Sequence, residues 1–204
     1  MRKPGLVVWF CGLPGSGKTT IATGVYEKVK AAKNPDGFTL VSMDSIRKRI
    51  FPDPIYSDEE RNTAYRAFVL AGSLLSVNGV TVLLDAVGHK RKWRELARNE
   101  CPRFVEVYVK CPIELCITRE TNRIDPGSNV RKKLYLDALE RLKTGKKEEG
   151  LGKVPGVDEP FEESESPEIT IDSSIDKPKI LVNKVLQELA KFDPEIFSLN
   201  PLVS

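Results

Sequence analysis

The sequence predicts an α/β protein, with a parallel sheet of about five strands, helices on both faces and a lid inserted late in the chain. Three observations carry that expectation. Short apolar runs alternate with helical stretches along most of the chain. The runs are apolar at successive positions, as strands buried on both faces are. The first run passes through a glycine-rich loop straight into a helix. A length of 204 residues suits one domain, 1–204, with the lid at 124–167.

Taken in order, Leu6-Val7-Val8-Trp9-Phe10-Cys11 is the first strand, and the first helix runs from Lys18 to about Lys33. Asn34-Pro35-Asp36-Gly37 is a turn cluster. Phe38 to Met43 reads as the second strand, with Asp44 at its end and a helical turn, Ile46–Ile50, after it. Pro52 and Pro54 make Phe51–Tyr56 a loop. Ser57 and Glu60 form a capping box for a helix to about Asn78, which Gly79 ends. Ala64, Phe68, Ala71 and Leu75 share one face of it. Val80–Leu84 is the third strand and ends at Asp85. A helix from Arg91 to Asn99 leads to the fourth strand, Phe104–Val109, and Pro112 opens the next helix. The segment 124–167 is rich in Lys, Gly and Glu around one helical piece, Val130 to Lys143. It reads as a mobile lid, with a disordered surface insertion as the alternative. Glu168–Asp172 is a short fifth strand, and Ile180–Ala190 the last helix.

Gly12-Leu13-Pro14-Gly15-Ser16-Gly17-Lys18-Thr19 is a complete G-x-x-x-x-G-K-[ST] phosphate-binding loop. Its glycines let backbone N–H groups point inward at phosphate oxygens, and the positive end of the new helix adds to that field. Lys18 can reach the β- and γ-phosphates, and the Thr19 hydroxyl can ligate magnesium. The expected nucleotide site is this loop together with Thr20, and its cofactors are ATP and Mg2+. The alternative is a glycine-rich turn with no ligand.

Ligands of a parallel α/β sheet bind at the carboxyl ends of its strands, so Asp44, Asp85 and the Gly88–Arg91 loop belong to one rim. Asp44 can orient or deprotonate an attacking hydroxyl, and Arg47, three residues on, can hold an anionic group of the acceptor. The alternative for Asp44 is a helix N-cap. Asp85 reads either as a magnesium ligand through water or as a loop cap. Arg61, Arg66, Arg91 and Arg94 sit on helices opening at the same rim. His89, the single histidine, reads as structural or surface rather than catalytic.

Composition bounds the partners. A net charge of +3, from 32 basic and 29 acidic residues, is too balanced to indicate nucleic acid. Cys11, Cys101, Cys111 and Cys116 lie in or beside apolar runs without metal-type spacing, and read as buried thiols. No stretch approaches a membrane span and no cleavable signal is evident, so the expected compartment is a reducing cytoplasm.

The residues resemble the adenylylsulfate (APS) kinases. Gly12–Thr19 is similar to their phosphate loop, and Asp44-Ser45-Ile46-Arg47 to the end of their Asp-Gly-Asp-Asn-x-Arg signature. Tyr56-Ser57 with Arg61 and Arg66 resembles their Gly-Phe-Ser…Asp-Arg…Arg stretch. Phe104–Val109 with Pro112 and Cys116 is similar to their Phe-x-Glu-Val-Tyr-Val…Pro…Cys. Leu134-Tyr135, Gly156-Val157-Asp158, Pro160-Phe161-Glu162 and Pro167-Glu168 resemble their lid, with its Thr-Gly-Ile-Asp-x-Pro-Tyr-Glu run. The likeness covers about residues 5 to 173, and the lid run is its specific part.

Some positions depart from that pattern. Ser42 stands for the first acid of the signature, and Ala64 for an Asn between the two arginines. The family's Ile-Ser-Pro-Tyr-Arg loop reads Val87-Gly88-His89-Lys90-Arg91, so Gly88 replaces a serine sometimes described as phosphorylated. The lid has an insertion around 124–133.

The resemblance implies a P-loop NTPase fold and a kinase moving the γ-phosphoryl of ATP to the 3′-hydroxyl of adenylyl sulfate, giving PAPS and ADP. The implied catalytic residues are Lys18, Asp44 and Arg47. The implied substrate contacts are Asp44, Arg47, Tyr56, Arg61, Arg66, Arg91, Lys153 and Phe161, and the metal residues are Thr19 and Asp85. The expected partner is a small-molecule acceptor, APS, with homodimerisation left open. The rivals are the same transfer to another acceptor, such as a different nucleotide or a polynucleotide end, and a nucleotide-binding module without turnover.

Overall fold

Along β1 (Val7–Cys11) the side chains alternate between two cores, because successive residues of a strand face opposite sides of the sheet. Val8 and Phe10 enter one core, and Val7, Trp9 and Cys11 the other. A computed structural model describes residues 3–123, 133–145 and 152–199 of the chain.

The elements follow as α1 (Lys18–Lys33), β2 (Phe38–Ser42), α2 (Met43–Ile50), α3 (Asp58–Val77), β3 (Thr81–Asp85), α4 (Arg91–Glu100) and β4 (Phe104–Lys110). Then come α5 (Ile113–Thr121), α6 (Leu134–Thr144), β5 (Ile169–Asp172), α7 (Pro178–Leu189) and α8 (Pro194–Phe197). The five strands stand in the order β2-β3-β1-β4-β5, all paired in parallel. Trp9 faces Leu84 on one side and Glu106 on the other.

Helices α1 and α7 bury Ile21, Val25, Val29, Leu181 and Val185 on one face of the sheet. On the other face α3 and α4 bury Ala64, Tyr65, Phe68, Trp93 and Ala97. Trp9 and Tyr65 stack with centroids 6.1 Å apart, and Tyr65 stacks on Trp93 at 3.8 Å. The expected parallel sheet of five strands with helices on both faces is what the structure has. All four cysteines are free and buried.

Three details differ from expectation. β2 stops at Ser42, which caps α2 by accepting the Ser45 N–H at 3.2 Å. Asp44 therefore lies inside the first turn of α2 and is not its cap. The chain beyond Phe192 carries α8, whose Phe197 packs edge-on against Phe38 at 5.9 Å. The lid is also more apolar inside than its composition suggests. Tyr135, Ala138 and Val154 are buried with Cys111 and Cys116 in a third, small core. Residues 124–132 of the expected insertion, including the predicted helix start at Val130, lie outside the described residues.

The capping box forms in part. Ser57 accepts the Glu60 N–H at 3.2 Å, but the Glu60 carboxylate accepts from Ile55 and Tyr56 N–H at 3.1 and 2.6 Å. Those bonds hold Tyr56 at φ 54, a left-handed conformation unusual for a residue with a side chain.

Candidate active site

The loop after β1 is braced from three sides. The Gly12 N–H donates to the Val87 carbonyl at 3.2 Å, the Ser16 N–H to the Leu13 carbonyl at 3.1 Å, and the Tyr135 hydroxyl to the Pro14 carbonyl at 2.9 Å. Gly15 has φ 78, and a Cβ there would lie 2.4 Å from the Cys116 carbonyl oxygen, so only glycine fits. Gly17 leads into α1 with no side-chain cap, and α1 has no acidic residue in its first turn. Its first N–H groups and its positive end thus stay open to an anion. A cavity of about 1090 Å³ is lined by Gly15–Ile21, Arg119, Arg123, Ser173 and Lys179. Lys18, Thr19 and Thr20 are all among its walls.

Asp85 stands at the end of β3, in reach of Lys18 and Thr19. It is buried, and its Oδ1 has no hydrogen-bond partner among the described residues. Burial pushes its carboxyl up, while the Lys18 charge and a hydrogen bond from Thr19 pull it down and Asp44 pushes it up again. An orphaned carboxylate oxygen beside a threonine hydroxyl suits a hard divalent cation. Among the described residues no group of three or more His, Cys, Asp or Glu side chains could hold a metal. Such a cation would complete its shell with phosphate oxygens and water, as Mg2+ does in phosphoryl-transfer sites.

The residues expected to meet the acceptor fall into three groups. Asp44 is exposed, 3.9 Å from Arg47 Nη1, and the Arg47 guanidinium lies over the Tyr56 ring at 5.2 Å. Arg61 is turned toward the lid: its Nη1 donates to Glu159 Oε2 at 2.6 Å, and its Nη2 to the Lys153 carbonyl. The Lys153 ammonium lies 3.8 Å from Asp58. Phe161 stacks on Tyr108 at 5.8 Å with the Arg94 guanidinium over its ring, while the Arg91 N–H donates to Glu162 at 2.7 Å. The Arg91 guanidinium pairs with Glu165. Arg66 is exposed on α3. The lid run thus crosses the rim, between the phosphate loop and α4.

Residues 4–172 match the family model described as adenylylsulphate kinase. The chain belongs to the adenylylsulphate kinase family. A probable adenylyl-sulfate kinase of Archaeoglobus fulgidus is 35% identical over 169 residues, covering 82% of this chain and 95% of its own. An adenylyl-sulfate kinase of Picosynechococcus sp. is 29% identical over 191 residues, covering 94% of this chain and 97% of its own. An APS kinase from Mycobacterium tuberculosis, solved in complex with AMPPNP and APS, matches with TM-score 0.72 at 25% identity, over 92% of this chain and 99% of that one. This member of the family is accordingly a P-loop kinase, a phosphotransferase with a hydroxyl acceptor.

Sequence reasoning missed two groups of residues in this kinase. Arg119 in α5 and Arg123 just after it line the cavity beside the phosphate loop. Their i, i+4 spacing was the available signal. Glu159 is the other, and nothing local marked it: its partners lie on α3 and on the loop after β3.

His89, expected at the surface or in a structural role, is deeply buried. It meets the Trp93 ring edge-on at 4.9 Å, and its Nε2 lies 3.0 Å from Glu159 Oε2 without hydrogen-bond alignment. Burial pushes its pKa down from 6.5 to about 4, outweighing the upward pull of Glu159. The unfolded chain then takes up a proton that folded His89 refuses. Stability is full above pH 6.5 and falls as pH drops toward 4, with a limiting slope of about 1.4 kcal/mol per pH unit. Urea unfolding at about pH 7.5 and about pH 5.5 should show wild type losing roughly 1 kcal/mol more than His89→Gln. Equal losses in the two proteins would place the pH dependence elsewhere.

Proposed function

We propose that this kinase transfers the γ-phosphoryl group of ATP to the 3′-hydroxyl of adenylyl sulfate, forming PAPS and ADP. The observation that carries the reading is the lid run. Gly156–Glu162, the part most like the family's signature, folds across the acceptor rim, where the Arg94 guanidinium donates to the Glu162 carbonyl at 2.6 Å.

In this reading the loop N–H groups and Lys18 bind the nucleotide phosphates and draw off charge as the γ-phosphoryl moves. Thr19 and Asp85 would hold Mg2+, which when bound supplies charge neutralisation at the phosphates. Asp44 takes the proton of the acceptor hydroxyl and orients it for in-line attack. Arg47 grips an anionic group of the acceptor, and Tyr56 and Phe161 offer ring faces to a planar base. Gly88 has no hydroxyl to phosphorylate, which favours direct transfer. Free thiols at all four cysteines fit a reducing cytoplasm. No described helix is long and apolar enough to cross a membrane.

A second reading keeps the chemistry and changes the acceptor. It is favoured by Ser42, which serves as a helix cap, and by Ala64, which is wholly buried in α3. Ser42 has no carboxylate and Ala64 no amide, so neither reproduces the contact that the family's acid and Asn would make.

One assay addresses both. Purified protein with Mg·ATP and APS should form PAPS, and Asp44→Asn should lower kcat about a hundredfold with little change in nucleotide affinity. Arg47→Ala should raise the acceptor KM more than the ATP KM. ADP release with another acceptor, and none with APS, would overturn the APS reading and leave the kinase intact.

A further inference from the structure

One lid carboxylate gathers cations from two separate elements. Glu159 is 7% exposed. Its Oε2 takes the Arg61 Nη1 of α3 at 2.6 Å and lies 3.0 Å from His89 Nε2. Its Oε1 is 2.8 Å from the Lys90 ammonium. Burial pushes the Glu159 carboxyl up, but Lys90, His89 and Arg61 together outweigh it, so the group is held below its ordinary range. It is therefore an ionised carboxylate at neutral pH, and its loss would leave the buried Arg61 guanidinium without its counter-charge.

The backbone follows the same pattern. The Gly156 N–H donates to the Glu159 carbonyl at 2.7 Å, and the Glu162 N–H to the His89 carbonyl at 2.8 Å. Arg61 also binds the Lys153 carbonyl, which fixes the start of the strap. There Gly152 runs so close to Tyr56 that a Cβ on it would lie 2.6 Å from the Tyr56 Cβ. Tyr56 in turn carries Arg47 on its ring. A continuous chain of contacts thus links Glu159, through Arg61 and the strap, to the residues beside Asp44. None of Glu159, Arg61, His89 and Lys90 lines the nucleotide cavity. His89 and Lys90 also occupy positions where the loop departs from the family pattern.

We propose that Glu159 is a positioning residue that latches the lid strap across the acceptor side, so that it sets acceptor affinity and leaves nucleotide affinity alone. The kinetic part rests on the proposed transfer to an acceptor hydroxyl, whereas the latch itself is a property of the free protein. Arg61 then acts as the brace that Glu159 pulls into place.

Two measurements on Glu159→Gln test this, with Lys90→Met as a milder variant, since Lys90 is partly exposed and not in a core. Amide hydrogen exchange in the ligand-free protein should quicken about tenfold across residues 152–168 in Glu159→Gln, and less in Lys90→Met, with the central strands unchanged. With APS as acceptor, Glu159→Gln should raise the acceptor KM about tenfold, with the ATP KM within about twofold of wild type. Unchanged exchange at 152–168 would overturn the latch whether or not APS is phosphorylated. A kcat loss with both KM values moving together would overturn the positioning role, since it would mark a general structural defect. If wild type makes no PAPS while exchange quickens as expected, the latch stands and the APS reading fails.

Discussion

Lys18→Ala is expected to lower kcat roughly a thousandfold, the scale of losing a pre-placed donor to the transferring phosphoryl group. The melting temperature should stay within about 2 °C of wild type, since the side chain is half-exposed and belongs to no core. The geometry explains the separation. Loop shape is set by backbone bonds at Gly12, Pro14 and Ser16 and by the tight fit of Gly15 against α5, none of which uses the Lys18 side chain. Nucleotide should still bind, more weakly, through the N–H groups at the start of α1. Lys18 also faces Asp85, so part of the loss would come from leaving that buried carboxylate without its nearby cation. A turnover assay beside a thermal melt decides the matter. Near-normal kcat in Lys18→Ala would refute the phosphate-loop assignment itself.

How much of this was legible in the sequence depended on how local the signal was. The strands β1, β3 and β4 are mostly apolar, because both faces of a parallel sheet are covered, and they stand within a residue of where the runs predicted. The phosphate loop was legible because its function fixes contiguous residues. Asp44 was placed one element too early. The cap of α2, which Asp44 could have supplied, is Ser42 two residues earlier. The four residues of α8 are too few to show a period, so only packing of Phe197 on Phe38 makes them visible. The lid looked polar because its buried residues, Tyr135, Ala138 and Val154, are few and far apart in the chain. Glu159 was least legible of all. Its partners stand 98, 70 and 69 residues earlier, at Arg61, His89 and Lys90, and no spacing rule reaches that far.

Asp85→Asn should move stability and activity in opposite directions. In the ligand-free protein the carboxylate is buried, one oxygen has no partner, and burial pushes its pKa up despite Lys18 and Thr19. The folded state thus disfavours the charge, and the cost is greatest at pH values where the group is ionised. A folded pKa raised above the unfolded one means the folded state binds the extra proton. Wild type therefore gains relative stability as pH falls through that raised value, a gain the Asn variant lacks. At neutral pH the neutral amide should stabilise the apo protein by about 1 kcal/mol, or about 2–4 °C, because part of the gain is offset by Lys18 losing its counter-charge. That advantage should shrink as the pH is lowered. Activity should fall roughly a thousandfold, because the amide no longer supplies a charged ligand beside Thr19 for the cation that neutralises the phosphates. The melting shift produced by Mg·ATP should shrink with it, since that shift measures binding to the folded state alone. If Asp85 only capped the loop after β3, the variant would instead lose stability and keep both its turnover and its response to Mg·ATP.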